Sequence, residues 1–167
     1  MRLALPLLLA LALGACSNPQ LRGAGPDGFG GGGFGAPGAG GIDDPSSATY
    51  FAGQVGDRVL FAVDQSTLTD AARDTLRRQA SWLATNPQFD AVIEGHADEQ
   101  GTREYNLALG ARRAAAAQEF LIAQGVAPGR LRTVTYGKER PIEICSTETC
   151  YTQNRRAVTV LAAGAGV

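Results

Sequence analysis

The chain has 167 residues and a formal net charge of −1 at pH 7, which allows one domain of moderate size. It carries no long run of like charges, so nothing in it indicates DNA or RNA as a partner. Not all of the chain can form a core, because residues 1–48 differ in composition from the rest.

Residues 1–15 have the features of a secretory signal peptide. Arg2 precedes a leucine- and alanine-rich stretch of about a dozen apolar residues, too few to span a bilayer comfortably. Leu13-Gly14-Ala15-Cys16 resembles a bacterial lipobox, which implies cleavage before Cys16 and lipidation of its thiol. By the same analogy, Ser17 in place of an aspartate favours the outer membrane. An uncleaved hydrophobic anchor, or a cysteine that follows small residues by chance, is the alternative.

Residues 16–48 are predicted to form a flexible tether that carries the lipidated cysteine. Glycine dominates this stretch and few residues are apolar, so burial cannot offset the entropy cost of ordering it. No strand precedes the glycines and no Gly-Lys-Ser/Thr follows them, which argues against a phosphate-binding loop. Such a tether has an r.m.s. reach of about 30 Å. It would place the predicted domain, residues 49–163, some distance from a membrane.

The remaining residues predict an α/β two-layer sandwich. Short apolar runs and helical stripes follow each other in the order βαβαββ, which indicates a four-stranded mixed sheet with helices on one face. The strands are predicted at residues 58–63, 89–93, 131–136 and 156–161, one helix between Ser66 and Asn86, a second helix ending at Gly125, and an irregular excursion at residues 138–154.

Cys145 and Cys150 are a candidate disulfide. If Cys16 is consumed by a lipid, they form an even pair in a secreted chain, and the bond would stabilise the fold by about 2 kcal/mol. A metal site is the alternative, but the chain has a single histidine, His96, and no second cysteine pair. We expect no metal and no other cofactor.

The stretch from Glu94 to Thr102 is the candidate functional loop. It joins a predicted strand to a predicted helix, and open sheets usually bind ligands at such corners. Asp98 in the loop and Arg113 in the helix could reach one pocket. Together they would offer a carboxylate and a guanidinium to a zwitterionic, amino-acid-like group. An internal salt bridge between Asp98 and Arg113 explains the same residues equally well.

The carboxylates of this loop also allow an enzyme, such as a cell-wall hydrolase. Glu94, Asp98 and Glu99, together with Asp64 from a neighbouring strand, could supply an acid and a base for glycoside cleavage. His96 could be part of a triad. The chain has no Gly-x-Ser-x-Gly elbow, no His-Glu-x-x-His motif and no spare thiol, so we favour binding over catalysis. We interpret His96 as a loop residue that caps a backbone group.

Several motifs resemble the OmpA C-terminal-like domain family, in particular its peptidoglycan-associated lipoproteins. They are Gly95–Thr102, Tyr105-Asn106, Leu109-Gly110, Arg112-Arg113-Ala114, Val134–Pro141 and Asn154–Val158. The resemblance covers about residues 57–161. It implies a non-enzymatic domain that binds peptidoglycan through meso-diaminopimelate, whose free end carries an ammonium and a carboxylate on one carbon.

The resemblance also implies site residues and partners. By motif, the pocket residues are Asp64, Asp98, Thr102, Asn106, Leu109 and Arg113. Ala62 in place of an aspartate and Gln100 in place of an arginine depart from the family pattern, and we expect them to change contacts at the pocket rim without removing binding. Together with the lipobox, the resemblance implies an outer-membrane lipoprotein that faces the periplasm. It would act in a Tol–Pal system during envelope maintenance and cell division, with TolB as a competing partner.

Overall fold

The computed structural model describes residues 41–163. The predicted signal peptide, Cys16 and most of the predicted tether lie outside the described residues. No helix within residues 41–163 combines the length and the apolar character needed to cross a bilayer. The elements are α1 (Ala48–Tyr50), which continues as a π-helix (Phe51–Gly56), β1 (Arg58–Leu60), α2 (Asp70–Thr85), β2 (Phe89–His96), α3 (Arg103–Ala123), a 3₁₀ turn (Pro128–Arg130), β3 (Leu131–Gly137), α4 (Glu148–Asn154) and β4 (Arg156–Ala163).

The strands form one mixed sheet in the order β1–β4–β2–β3. β4 runs antiparallel to β1 and β2, while β2 and β3 run parallel because α3 crosses over between them. The core lies where α2 and α3 pack on one face of this sheet, and it includes Leu76, Leu83, Ala91, Ile93, Ala114, Ala117 and Leu121. This architecture confirms the predicted α/β two-layer sandwich with a four-stranded mixed sheet.

The first strand is shorter than predicted. β1 ends at Leu60, opposite Arg156, where its partner β4 begins, and one further backbone hydrogen bond, from Phe61 N to Arg155 O at 2.8 Å, follows the ladder. The chain then turns between residues 62 and 65, with a backbone hydrogen bond of 3.2 Å across the turn. Asp64 therefore lies in this turn, at φ 56°, and not at the end of a strand.

The packed chain extends N-terminal to residue 49, the predicted start of the domain. Ser47 is buried, and its hydroxyl donates to Gly41 O at 2.8 Å. Trp82 in α2 donates from Nε1 to Pro45 O at 2.7 Å. These contacts place residues 41–48, which we assigned to the tether, within the folded part of the chain.

The excursion at residues 138–154 contains a helix, α4, that the sequence did not predict. Only Cys150 and Asn154 are buried in α4, so no apolar stripe marks it. Asn154 organises the segment, because its Oδ1 accepts hydrogen bonds from Ile142 N and Glu143 N at 2.9 and 3.1 Å. The segment is therefore held by polar contacts more than by burial.

Candidate functional site

Two glycines allow α3 to lie directly against β2. A Cβ atom on Gly95 would come within 1.8 Å of Gly110 O, and a Cβ atom on Gly110 would come within 2.5 Å of Thr135 Oγ1. Only glycine leaves room for backbones to approach this closely. The contact brings the following turn of α3, which carries Arg113, up to the end of β2.

Arg113 is a completely buried cation at the end of β2. Its Nε donates to Gln65 O at 2.8 Å, its Nη1 to His96 O at 2.9 Å and its Nη2 to Ala62 O at 3.1 Å. These bonds tie α3 to the end of β2 and to the turn after β1. Desolvation lowers the pKa of Arg113 to about 10, with the charge of Asp98 opposing that change, so the side chain is charged at neutral pH.

Asp98 is held by two donors on the other side of the site. Its Oδ1 accepts from Gln100 N at 3.2 Å and its Oδ2 accepts from Arg155 Nη1 at 3.1 Å. Arg155 is itself buried and also forms a salt bridge with Glu148 of α4. Within residues 41–163, the salt bridge of Asp98 is with Arg155 and not with Arg113, so the predicted alternative of an internal Asp98–Arg113 pair is wrong.

An open cavity of about 280 Å³ lies between these groups. Its lining residues are Val63, Asp64, Asp98, Gln100, Gly101, Tyr105, Asn106, Leu109 and Arg113. Five of the six residues predicted for the pocket therefore meet there. The cavity receives two carboxylates, from Asp64 and Asp98, and lies against one guanidinium, so it presents both signs of charge to a small ligand.

Thr102 is the predicted pocket residue that does not line the cavity. It is the N-cap of α3, and its Oγ1 accepts a hydrogen bond from Tyr105 N at 3.2 Å. Its neighbour along the helix, Asn106, donates from Nδ2 to Gln100 O at 2.7 Å and so holds the loop against α3. Thr102 therefore shapes the start of the helix.

The remaining acidic residues of the loop do not line the cavity. Glu99 accepts on Oε1 from Ser146 Oγ at 2.6 Å and from Tyr151 OH at 2.7 Å, and these donors lower the pKa of Glu99. Glu94 approaches His96, with 3.5 Å between Oε2 and Nε2. The carboxylates of loop 94–99 thus do not converge on one point, as an acid–base pair built from this loop would require.

His96 is a buried residue at the end of β2. Its ring is 1% exposed and lies 5.5 Å from the ring of Tyr136. Neither ring nitrogen has a hydrogen-bond partner among the described residues, so the interpretation of His96 as a backbone cap is wrong. Desolvation, together with the charges of Arg156 and Arg140, lowers the pKa of His96 to about 4, and the imidazole is neutral at pH 7.

Arg155, which holds Asp98, was not predicted as a site residue, and neither were the lining residues Val63, Gly101 and Tyr105. Arg155 lies just before β4, within the motif Asn154–Val158, but it is 57 residues from Asp98 along the chain. An arginine at the border of an apolar strand, inside a family motif, was the only signal. Its partner could not be inferred from that signal, because the pairing depends on how β4 is placed in the sheet.

Cys145 and Cys150 are joined by a disulfide, with their Cα atoms 5.8 Å apart. Cys145 is exposed, while Cys150 is buried. In the part of the chain that the structure describes, no group of three His, Cys, Asp or Glu side chains is placed to hold a metal ion.

Comparison with known proteins assigns the chain to a family. A model of the OmpA family matches residues 60–155. The peptidoglycan-associated lipoprotein of Agrobacterium fabrum is 49% identical over 163 residues, which cover 96% of this chain and 87% of that protein. The protein of the same name from Mesorhizobium japonicum is 50% identical over 160 residues, covering 96% of this chain and 90% of the relative.

Solved structures agree with this assignment. The crystal structure of the peptidoglycan-associated lipoprotein from Burkholderia pseudomallei matches with a TM-score of 0.64 and 36% identity, over 72% of this chain and 98% of that one. The C-terminal domain of Helicobacter pylori MotB matches with a TM-score of 0.60 over 65% of this chain and 86% of that one, but at 21% identity it shows the fold alone. These matches confirm the resemblance predicted from the motifs. The chain belongs to the OmpA family, among the members named peptidoglycan-associated lipoproteins.

Proposed function

We propose that this protein is an outer-membrane lipoprotein that binds peptidoglycan non-covalently through the free end of meso-diaminopimelate. The observation that carries the proposal is the meeting of Asp64, Asp98 and Arg113, from three separate segments, at one small cavity. The free end of diaminopimelate has an ammonium and a carboxylate on one carbon. A site with both signs of charge is complementary to such a zwitterion.

The two charges of the ligand would be recognised in different ways. Asp64 and Asp98 line the cavity and are the natural partners of the ammonium. Arg113 has no exposed surface, so its charge attracts the ligand carboxylate from within the cavity wall. That attraction is effective because a buried charge is screened much less than an exposed one. Leu109 and Tyr105 supply apolar surface for the aliphatic chain of the ligand.

We infer that the protein binds its ligand without cleaving it. Both oxygens of Asp98 already accept hydrogen bonds, from Arg155 and from Gln100, which suits a fixed anion better than a proton donor. Glu99 accepts from two hydroxyls and its pKa is lowered, so it is a poor general acid as well. The relatives are named for association with peptidoglycan, which agrees with a binding role.

We also propose a lipid anchor and a periplasmic protein partner. Lipidation at Cys16 would attach the chain to the outer membrane, and residues 17–40 would serve as a tether that faces the periplasm. The name lipoprotein of relatives that cover 96% of this chain supports this part. A TolB-like periplasmic protein, acting within a Tol–Pal system, would compete with peptidoglycan for the domain and link it to envelope integrity and constriction at cell division.

The ligand can be tested with sacculi of two kinds. Sacculi with meso-diaminopimelate in the stem peptide should bind the protein, and free meso-diaminopimelate should compete. Sacculi with L-lysine at the same position keep the ammonium but lack the adjacent carboxylate, so they should bind at least about tenfold more weakly. Equal binding to both kinds would contradict recognition of a zwitterion. Release of soluble muropeptides during the incubation would indicate a hydrolase instead.

The anchor can be tested at Cys16. We expect Cys16→Ser to abolish acylation and to leave the protein as a precursor or in a different cell fraction, as measured by labelled fatty acid and membrane fractionation. Ser17→Asp is the matched control, because it should keep the acyl label and change only the membrane in which the protein is found. Absence of label on the wild-type protein would contradict the lipid anchor.

A further inference from the structure

We propose that the segment closed by the Cys145–Cys150 disulfide is a positioning element for the candidate binding cavity. It fixes the carboxylate of Asp98 through Arg155, and it fixes the adjoining loop through Glu99. The inference rests on the proposed function, because it assigns a role in ligand binding to residues that do not line the cavity.

The first connection runs from α4 to Asp98 through Arg155. Glu148 and Thr152 of α4 both contact Arg155 Nη2, the latter with its Oγ1 accepting at 3.0 Å. The other terminal nitrogen of Arg155 donates to Asp98 Oδ2 at 3.1 Å. Arg155 is buried, and its Nε donates to Phe61 O at 3.3 Å, while Glu148 is exposed. The surface helix therefore orients the terminal nitrogens of a buried guanidinium, which in turn orients the ligand-facing carboxylate. The salt bridge also lowers the pKa of Glu148, as expected for a carboxylate held in a charged pair.

The second connection runs to the residue next to Asp98. Ser146 lies inside the disulfide loop and Tyr151 directly follows it, and both hydroxyls donate to the same Oε1 atom of Glu99. Lys138 adds a third tie, because its Nζ donates to Glu99 O at 3.2 Å and to Gly101 O at 2.7 Å. The backbone on either side of Gln100 is therefore held from the same flank.

The disulfide matters because Asn154 holds only the start of this segment, at Ile142 and Glu143, and burial adds little. Every residue from 141 to 149 is exposed, so burial contributes little to its order. α4 has seven residues and its N-cap, Thr147, makes no side-chain capping bond. Helices this short are marginal without tertiary support. The bond to buried Cys150 restricts the exposed end of the segment and keeps Ser146 and Glu148 near their partners.

Loss of the disulfide should therefore weaken ligand binding in a protein that still folds. The core cluster contains no residue of segment 141–149, so the sheet and the two long helices do not depend on it. Asp98 would keep its place in the loop but lose part of the hydrogen bonding that orients it. Partial loss of such charge-assisted hydrogen bonding corresponds to about a 3- to 30-fold weaker affinity.

The test compares sacculus binding by three forms of the full-length protein. The first is the oxidised wild type, and the second is Cys145→Ser/Cys150→Ser. The third is Trp82→Phe, which serves as a control for lowered stability. It loses the hydrogen bond to Pro45 O, and Trp82 packs at the start of β2, away from the cavity. Thermal unfolding of each form, measured in parallel, shows that each form is folded at the temperature of the binding assay and how far its stability is lowered. Tyr151→Phe, which removes one hydroxyl from Glu99, tests the second connection without touching the disulfide.

We expect the double cysteine variant to bind diaminopimelate-type sacculi about 3- to 30-fold more weakly, Tyr151→Phe to lose a smaller part, and Trp82→Phe to bind like wild type. Dithiothreitol should reproduce the loss in wild type, since it delivers two electrons and two protons to the pair and is itself oxidised to its cyclic disulfide. Full binding by the double variant would overturn the inference, as would an equal loss in Trp82→Phe. Failure of the oxidised wild type to bind would instead overturn the proposed function.

Discussion

On the α3 side of the cavity, Arg113 is fixed by backbone carbonyls in the interior, whereas on the α4 side Asp98 is held by Arg155, a buried side chain that also contacts the exposed residue Glu148. Arg113 contacts three carbonyl groups from two other parts of the fold. Arg155 donates from Nε to Phe61 O at 3.3 Å, and besides Asp98 its side-chain partners are Glu148 and Thr152 of α4. Residues on the first side therefore serve folding as well as binding, while the exposed residues of α4 on the second side can be changed with little cost to folding.

The largest effect is expected where α3 meets β2. Gly95→Ala would place a Cβ atom within 1.8 Å of Gly110 O, which neither backbone can accommodate without moving the helix. We expect a loss of more than about 3 kcal/mol in the free energy of unfolding, measured by urea denaturation. Gly129→Ala is the matched control, because a Cβ atom there has nothing within 4 Å. Similar stability of the two variants would show that the close approach is not needed.

Arg113→Lys should have the next largest effect. Lysine keeps the charge but cannot reach three carbonyl groups at once, so buried acceptors would be left unpaired. We expect the free energy of unfolding to fall by about 2–4 kcal/mol, together with weaker sacculus binding. The neighbouring exposed residue supplies the control, and Arg112→Lys should behave like wild type. An Arg113→Lys protein of unchanged stability would mean that the three carbonyl contacts contribute little.

The buried His96 should make stability depend on pH. Its pKa is lowered from 6.5 to about 4 in the folded chain, so the unfolded chain binds more protons between these values. Stability is then full above about pH 6.5 and falls as the pH is lowered towards 4, by at most about 3 kcal/mol. Denaturation measured between pH 4 and 7 should show this slope in wild type and a smaller one in His96→Phe. Equal slopes in the two proteins would assign the effect to other groups.

The sequence predicted the elements that have a regular apolar pattern. The four strands and the two long helices are of this kind, and Thr69 and Thr102 cap the helices as threonine commonly does. α4 was missed because it is short, polar and exposed. The first strand was predicted too long because strand length is set by the partner strand, and no local pattern shows where that partner begins.

Most of the predicted pocket residues line the cavity, but their hydrogen-bond partners could not be predicted. Family motifs indicated Asp64, Asp98, Thr102, Asn106, Leu109 and Arg113, and all of them except Thr102 line the cavity. Some of their partners lie 48 to 57 positions away along the chain, as for Arg113 with Gln65 and Asp98 with Arg155. Such pairs depend on strand order and helix placement, so the sequence analysis could not choose between a ligand-binding pair and an internal salt bridge.

The most direct test of the account is sacculus binding by Asp98→Asn and Asp64→Asn, measured together with thermal unfolding. Each change removes one charge and keeps nearly the same shape, and asparagine tolerates the positive φ of residue 64. Arg155 also keeps its salt bridge with Glu148 when residue 98 is neutral. The account predicts that Asp98→Asn binds diaminopimelate-type sacculi about 2–4 kcal/mol more weakly, Asp64→Asn less so, and that stability changes by no more than about 1 kcal/mol. Binding at full strength by both variants would contradict the assignment of this cavity as the peptidoglycan site.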